Sequence, residues 1–132
     1  MEEKFSFTIS KGDCVLLRSG HFARREAVGV WNPDNLSAGF HVDVMKLFKE
    51  RKVSVIGADG DSDVRPSPVT GVESPFHALA LPGMGIPLLD NLQLEELAKV
   101  CASEKRWIFQ IILAPLNIPR GTGSPLNPVA VF

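Results

Sequence analysis

The fold class follows from the stretch His-Val-Asp-Val-Met-Lys-Leu-Phe-Lys-Glu-Arg-Lys-Val-Ser-Val-Ile-Gly at residues 41–57. Its apolar side chains Val44, Leu47 and Phe48 recur at helical spacing, which predicts an amphipathic helix. The basic residues of the last turn complement the negative C-terminal end of the helix dipole. The β-branched run at 53–57 then predicts a short buried strand. A helix joined tightly to a strand is typical of an α/β protein.

Further elements of the same kind are predicted on both sides of this unit. Four other apolar runs predict strands, at residues 14–17, 86–89, 107–113 and 129–132. The run at 107–113 is apolar on both faces, which predicts a central strand. Asn91 can cap a second helix, whose inward stripe includes Leu94, Leu97 and Cys101. We therefore expect a mixed sheet with two principal helices, in one domain spanning residues 1–132.

Two stretches are rich in loop-forming residues. The sequence Trp-Asn-Pro-Asp-Asn at 31–35 predicts a surface excursion between the first strand and the first helix. Gly, Pro, Ser and Asp fill most positions of 60–75, which predicts a long irregular loop. Because such loops inside small domains are often functional, we expect this one to contribute to a site.

Length and composition exclude several classes of protein. The 132 residues are 45% hydrophobic and 22% charged, as in one ordinary globular domain. The formal net charge is −1, so neither nucleic acid nor an anionic membrane is an expected partner. No apolar run approaches the ~20 residues that span a bilayer, and the N-terminus is acidic, unlike a signal peptide. Cys14 and Cys101 lie in apolar runs without CxxC spacing, which predicts buried free thiols and a cytoplasmic location.

A run of carboxylates, Asp59-Gly-Asp-Ser-Asp63, follows the strand at 53–57. Ligand sites of α/β proteins lie at this end of a strand. A calcium loop is excluded because Val64 and Thr70 stand where Gly and Glu are required. A phosphotransfer aspartate pair of the haloacid dehalogenase type lacks the Thr or Val expected after its second Asp. Two interpretations remain open: a ligand role, or a turn in which Asp and Ser bond their own backbone.

The other polar candidates form no complete motif. His21, His41 and His77 are too widely spaced for an HxH or HxxxH metal pair. Ser124 lies in Gly-Thr-Gly-Ser-Pro, which lacks the GxSxG order of a nucleophile elbow. The glycines there favour a tight turn. The residues by themselves therefore identify no catalytic group.

Several blocks of the sequence resemble the cyclase family, which includes bacterial kynurenine formamidases and isatin hydrolases. The run GDCVLLRSG at 12–20 is similar to the family's GDVLLIRTG-type strand. The other similar blocks follow in the family's order and are VIGAD at 55–59 with Asp63, FHAL at 76–79, GIPLLDNL at 85–92, and APL with GTGSP within 114–125. The resemblance implies a swivelling β/β/α-type fold.

The resemblance also implies an activity and a set of site residues. Family members hydrolyse small amides or lactams with zinc or manganese, as arylformamidases do in tryptophan–kynurenine catabolism, and the metal lowers the pKa of a bound water. His77 and Asp90 correspond to a His and a Glu that complete a metal site. Asp59, Asp63 and Ser124 are the candidate substrate-binding residues. No catalytic residue is identified.

The family's main metal ligands and catalytic histidine come from an HxGTHxD-like motif, which these 132 residues do not contain. We therefore interpret the chain as the C-terminal part of a cyclase-like domain, with a weak metal site or none, and with little or no activity by itself. The alternative is a non-catalytic binding or assembly module. Because two helices are too few to cover these apolar strands, we also expect a homo-oligomer.

Overall fold

The computed structural model describes residues 2–132. Its elements in chain order are α1 (Glu2–Phe5), β1 (Cys14–Leu17), α2 (His21–Val28), α3 (Val44–Arg51), β2 (Val55–Ala58), α4 (Pro75–Ala78), β3 (Leu88–Leu89), α5 (Glu95–Glu104), β4 (Gln110–Ile112) and β5 (Val129–Val131). A π-helical turn at Leu79–Gly83 continues α4. Within this part of the chain, no helix has both the length and the apolar character needed to cross a membrane.

Strands β1, β2 and β3 form a parallel sheet in that order. Cys14 pairs with Val55, and Ile56 pairs with Leu88. Parallel neighbours need crossover connections. Helices α2 and α3 accordingly lie between β1 and β2 in the chain, and α4 lies between β2 and β3. This arrangement confirms the α/β class and brings the carboxyl ends of all three strands to one edge of the sheet.

The predicted helix and strand at the centre of the chain form the core. Helix α3 buries Met45 and Phe48, and it is followed by Lys52, which takes the left-handed conformation with φ 55°. Ile56 of β2 and Phe76 of α4 are fully buried against the same cluster. Burying apolar area of this kind stabilises a fold by about 25 cal/mol per Å². The core therefore fixes the sheet, α3 and α4 relative to one another.

The run at 107–113 is not the central strand that its sequence predicts. Strand β4 is three residues long and pairs antiparallel with β5 in a separate two-stranded sheet. The parallel strands β1, β2 and β3 and the antiparallel strands β4 and β5 thus form two separate sheets. Apolar side chains on both faces predicted burial on both sides, but the residues that the structure describes leave one face of β4 in solvent. The final strand, predicted at 129–132, is confirmed as β5.

Helix α2 lies between β1 and the surface excursion predicted at 31–35. This helix buries none of its residues. Asp59 anchors its start: Oδ1 accepts hydrogen bonds from the N–H and hydroxyl of Ser19, and Oδ2 accepts from the N–H groups of Gly20 and His21. A carboxylate at a helix N-terminus satisfies free N–H groups and complements the helix dipole. The helix thus depends on a residue distant in sequence.

Helix α5 confirms the second predicted helix, although it begins at Glu95 rather than directly after Asn91. Asn91 has a φ of 57° and turns the chain after β3. Its N–H donates to the carbonyl of Gly60, so it joins two neighbouring loops instead of capping the helix.

The close approach of Gly39 to the loop after β2 predicts that Gly39→Ala destabilises the fold. A Cβ there would lie 2.5 Å from the carbonyl carbon and oxygen of Asp63 and 2.7 Å from the nitrogen of Val64. Because these are backbone atoms, the loop must move. We expect the free energy of unfolding, measured in urea, to fall by about 1–3 kcal/mol. Gly123→Ala is the matched control, since no atom lies within 4 Å of its Cβ position. Equal losses in both variants would contradict this account.

Candidate functional site

Polar side chains meet beyond the carboxyl ends of the three parallel strands. His21 follows β1, Asp61 and Asp63 follow β2, and Asp90 follows β3, while His77 comes from α4. A pocket of about 480 Å³ opens between these elements and is lined by His21, Pro33, Asp61, Ser74, His77, Asp90 and Asn91. Open α/β sheets bind their ligands at this edge. The pocket is therefore the candidate site.

The imidazole of His77 is oriented by the buried carboxylate of Asp63, which is 1% exposed. Oδ1 of Asp63 accepts a hydrogen bond from the N–H of Phe76 at 2.8 Å, and Oδ2 accepts from the N–H of His77 at 3.1 Å. The same Oδ2 lies 2.6 Å from Nδ1 of His77. An Nδ1–H that donates to a carboxylate leaves Nε2 as the free nitrogen. Asp63 thereby turns Nε2 of His77 towards Asp90.

Asp90 is held in a corresponding way by the fully buried Ser62. The N–H of Ser62 donates to Oδ1 of Asp90 at 3.0 Å, and its hydroxyl donates to the same oxygen at 2.6 Å. The other oxygen, Oδ2, lies 3.2 Å from Nε2 of His77. Two adjacent loop residues therefore position the pair. Asp63 holds His77 and Ser62 holds Asp90, so that Nε2 of the imidazole faces Oδ2 of the carboxylate.

The carboxylates around His77 give the site a negative potential. Burial lowers the pKa of His77, but the hydrogen bond to Asp63 and the charges of Asp90 and Asp61 outweigh it and raise the pKa above its usual value. Asp61 is in turn paired with the guanidinium of Arg65 at 3.0 Å. The site therefore favours a positive charge beside His77, either a proton or a cation, and the two compete.

Asp61, Asp63 and His77 form a group that could hold a metal ion, because one ligand atom from each lies within 4.8 Å of the others. The Nδ1 side of His77 is nevertheless occupied by the 2.6 Å hydrogen bond to Asp63. Ligand atoms about 2.0–2.1 Å from a tetrahedral zinc lie more than roughly 3 Å from each other. The 3.2 Å separation of His77 Nε2 and Asp90 Oδ2 meets this condition. An imidazole nitrogen with a carboxylate oxygen also suits zinc or manganese chemically.

The structure places the predicted site residues in different roles. His77 and Asp90, the predicted metal ligands, both line the pocket and are in direct contact there. Asp63 lies behind His77 and supports it. Ser124 does not line the pocket, and its hydroxyl accepts a hydrogen bond from the N–H of Leu116 at 3.1 Å. Asp59 is fully buried.

Asp59 has no exposed atom for a substrate. Burial raises the pKa of Asp59, but the hydrogen bonds from the hydroxyl and N–H of Ser19 and from the N–H groups of Gly20 and His21 outweigh it, so the pKa lies below its usual value. Its carboxylate is thus charged and fully engaged at the start of α2. Substrate binding by Asp59 and Ser124 stays a prediction that this geometry does not support.

Two further residues of the site were missed in the sequence. His21 lines the pocket, and its ring contacts that of Trp31 in a tilted arrangement with centroids 4.8 Å apart. Gly60 makes room for it, since a Cβ there would lie 2.9 Å from Nδ1 of His21. The position of His21 directly after β1 could have identified it, because the residues that follow neighbouring parallel strands meet at one edge of the sheet. Ser62 offered no such signal, because its partner Asp90 is distant in sequence.

Comparison with known proteins gives an informative structural match. No family model and no curated protein matches the sequence. Among solved structures, the crystal structure of a novel cyclase matches with a TM-score of 0.83 at 29% sequence identity. The chain has a cyclase-like fold. The match covers 99% of this chain and 43% of that cyclase, so the chain spans less than half of the cyclase's length. It also confirms the fold class expected from the sequence blocks.

Proposed function

We propose that the chain holds a divalent metal ion, zinc or manganese, between His77 and Asp90, and that its chemistry is hydrolysis of C–N bonds in small amides or lactams, as in arylformamidases. The opposed pair carries this proposal: His77 Nε2 and Asp90 Oδ2 are 3.2 Å apart, and each side chain is fixed from behind. The cyclase-like fold and the family-like sequence blocks around both residues support it.

The residues of this chain have distinct parts in that proposal. His77 and Asp90 hold the ion, while Asp63 and Ser62 keep the ligand atoms in place, a support that metal-binding histidines generally have. When bound, the ion would act as a Lewis acid and lower the pKa of a water molecule bound to it towards neutrality. His21, in the pocket wall, is placed to hydrogen-bond a polar atom of the substrate.

The same geometry limits the strength of the site. Tight zinc sites have about three or four protein ligands, and the pair supplies two. We therefore propose weak metal binding and little or no turnover by this chain alone. We also propose a cytoplasmic location, which the free thiols of Cys14 and Cys101 support because thiols stay reduced there.

Zinc binding tests the proposed metal pair. We expect the purified chain to bind zinc weakly in a calorimetric titration, and His77→Ala or Asp90→Asn to abolish the measurable binding. Asp63→Asn should weaken binding by about 10–100-fold, because it removes the support behind His77. His41→Ala is the matched control, since His41 is exposed and outside the pocket. One tightly held zinc per chain after dialysis, or unchanged binding in His77→Ala, would contradict the proposal.

The second candidate function is a non-catalytic binding or assembly module. It is favoured by large apolar side chains in solvent, such as Trp107 and Ile108, which are 39% and 60% exposed. Such surface is typical of interaction sites.

Turnover by the chain alone tests the non-catalytic alternative. We expect the chain alone, saturated with zinc or manganese, not to hydrolyse N-formylkynurenine or isatin at an enzymatic rate, because a two-ligand site has no evident general base. Substrate loss is followed by absorbance. A metal-dependent turnover that disappears in His77→Ala and persists in His41→Ala would contradict this expectation and reject the non-catalytic alternative.

A further inference from the structure

A buried guanidinium, that of Arg65, lies behind the wall of the candidate site. The side chain of Arg65 is 10% exposed. Its Nη2 donates hydrogen bonds to Oδ2 of Asp61 at 3.0 Å and to the hydroxyl of Ser74 at 2.9 Å, and its Nη1 donates to the carbonyl of Glu73. Asp61 and Ser74 line the pocket, whereas Arg65 does not. Arg65 therefore acts on the pocket through the residues of its wall.

The carboxylate of Asp61 stands next to His77 but is held by other groups. Its Oδ2 is paired with Arg65. Its Oδ1 accepts a hydrogen bond from the N–H of Asp63 at 3.3 Å and lies 3.6 Å from Nδ1 of His77. The side chain of Asp61 is 33% exposed and lines the same pocket as Asp90. Asp61 is therefore a carboxylate within the site whose oxygens are both engaged away from the opposed pair.

The contact between Arg65 and Asp61 is made at a cost to the fold. Among residues 2–132, Nε of Arg65 is a buried nitrogen without a hydrogen-bond partner. Burying a charged side chain and leaving one of its donors unpaired both reduce stability. Proteins retain such local costs mainly at functional sites. The position of Arg65 directly behind the pocket wall fits a role in the site.

Removing the guanidinium would change both the charge and the ligand set of the site. Asp61, Asp63 and Asp90 surround His77, and Arg65 compensates the charge of Asp61. Without Arg65, an uncompensated carboxylate would lie in the pocket beside two potential metal ligands. Tight zinc sites have about three or four protein ligands, so one further carboxylate would complete the minimum set.

We propose that Arg65 is a positioning residue that withholds Asp61 from the metal site, so that the site has two protein ligands and binds a divalent cation weakly. This inference rests on the proposed function, because it concerns the ion held by His77 and Asp90. It assigns the weakness of the site to the Arg65–Asp61 ion pair in addition to the small number of ligands in the opposed pair.

Calorimetric titration with zinc tests the role of Arg65. We expect Arg65→Gln to bind zinc about 10–100-fold more tightly than the wild-type chain, the size of change that residues behind metal ligands usually produce. Arg65→Lys keeps a positive charge beside Asp61 and should bind zinc like the wild-type chain. A purely structural role of Arg65 would instead lower the affinity in both variants.

Two further variants serve as controls. Arg18→Gln is the matched control, because Arg18 also pairs with a carboxylate, that of Glu95 at 2.8 Å, and neither residue lines the pocket. It should bind zinc like the wild-type chain. Arg65→Met is a second test of the same loss of charge, because an apolar side chain often replaces a buried ion-paired one without loss of the fold. It should show the same gain as Arg65→Gln.

A crystal structure of Arg65→Gln with zinc separates ligation by Asp61 from a change of charge alone. We expect a carboxylate oxygen of Asp61 at about 2.0–2.2 Å from the ion, beside His77 and Asp90. Zinc bound without Asp61 would overturn the proposal. Unfolding of both Arg65→Gln and Arg65→Met, detected by circular dichroism, would also overturn it, because Arg65 would then serve only the fold.

The titrations also distinguish this inference from the proposed function. Weak binding by the wild-type chain without a gain in Arg65→Gln would overturn the role of Arg65 and leave the metal pair intact. Zinc bound by Arg65→Gln alone would support the role of Arg65 and contradict metal binding by the wild-type chain. Failure of every variant to bind zinc would overturn both.

Discussion

The carboxylate of Asp63 is the contact on which the site depends. It is buried, and it accepts hydrogen bonds from two backbone N–H groups of α4 as well as from the imidazole of His77. Removing one partner of a buried charged network is costly, because the remaining groups lose their hydrogen bonds away from water. The position of α4, and with it the direction of His77, is therefore set by one side chain of the loop after β2.

The fold explains why this contact is possible. Parallel strands end at one edge, so the loops after β1, β2 and β3 are neighbours although they are far apart in sequence. Asp59 fixes the loop after β1, and Ser62 fixes Asp90 in the loop after β3. Asp63 fixes His77 on α4, and Gly39 allows the chain to pass directly against Asp63. The irregular segment from 60 to 75 is thus ordered by buried polar contacts and by isolated β-bridges to Ser37 and Phe40, without a regular strand of its own.

The sequence predicted the features that local patterns determine. The α3–β2 unit has strong helical and strand periodicity, and the family-like blocks led to His77 and Asp90 as predicted metal ligands. Helix α2 was missed because the carboxylate that stabilises its start is 38–40 residues away in sequence. The run at 107–113 was misplaced because apolar faces predict burial but not the identity of the covering partner. Asp59 followed a strand as ligands often do, and only the structure shows that its oxygens bind the start of a helix.

Asp63 holds Nδ1 of His77 and leaves Nε2 free towards Asp90. Long-range ¹H–¹⁵N correlation NMR of His77, at a pH above its pKa, measures which nitrogen carries the proton. The account predicts a proton on Nδ1 and none on Nε2, with the tautomers becoming mixed in Asp63→Asn. A proton on Nε2 in the wild-type chain would contradict it.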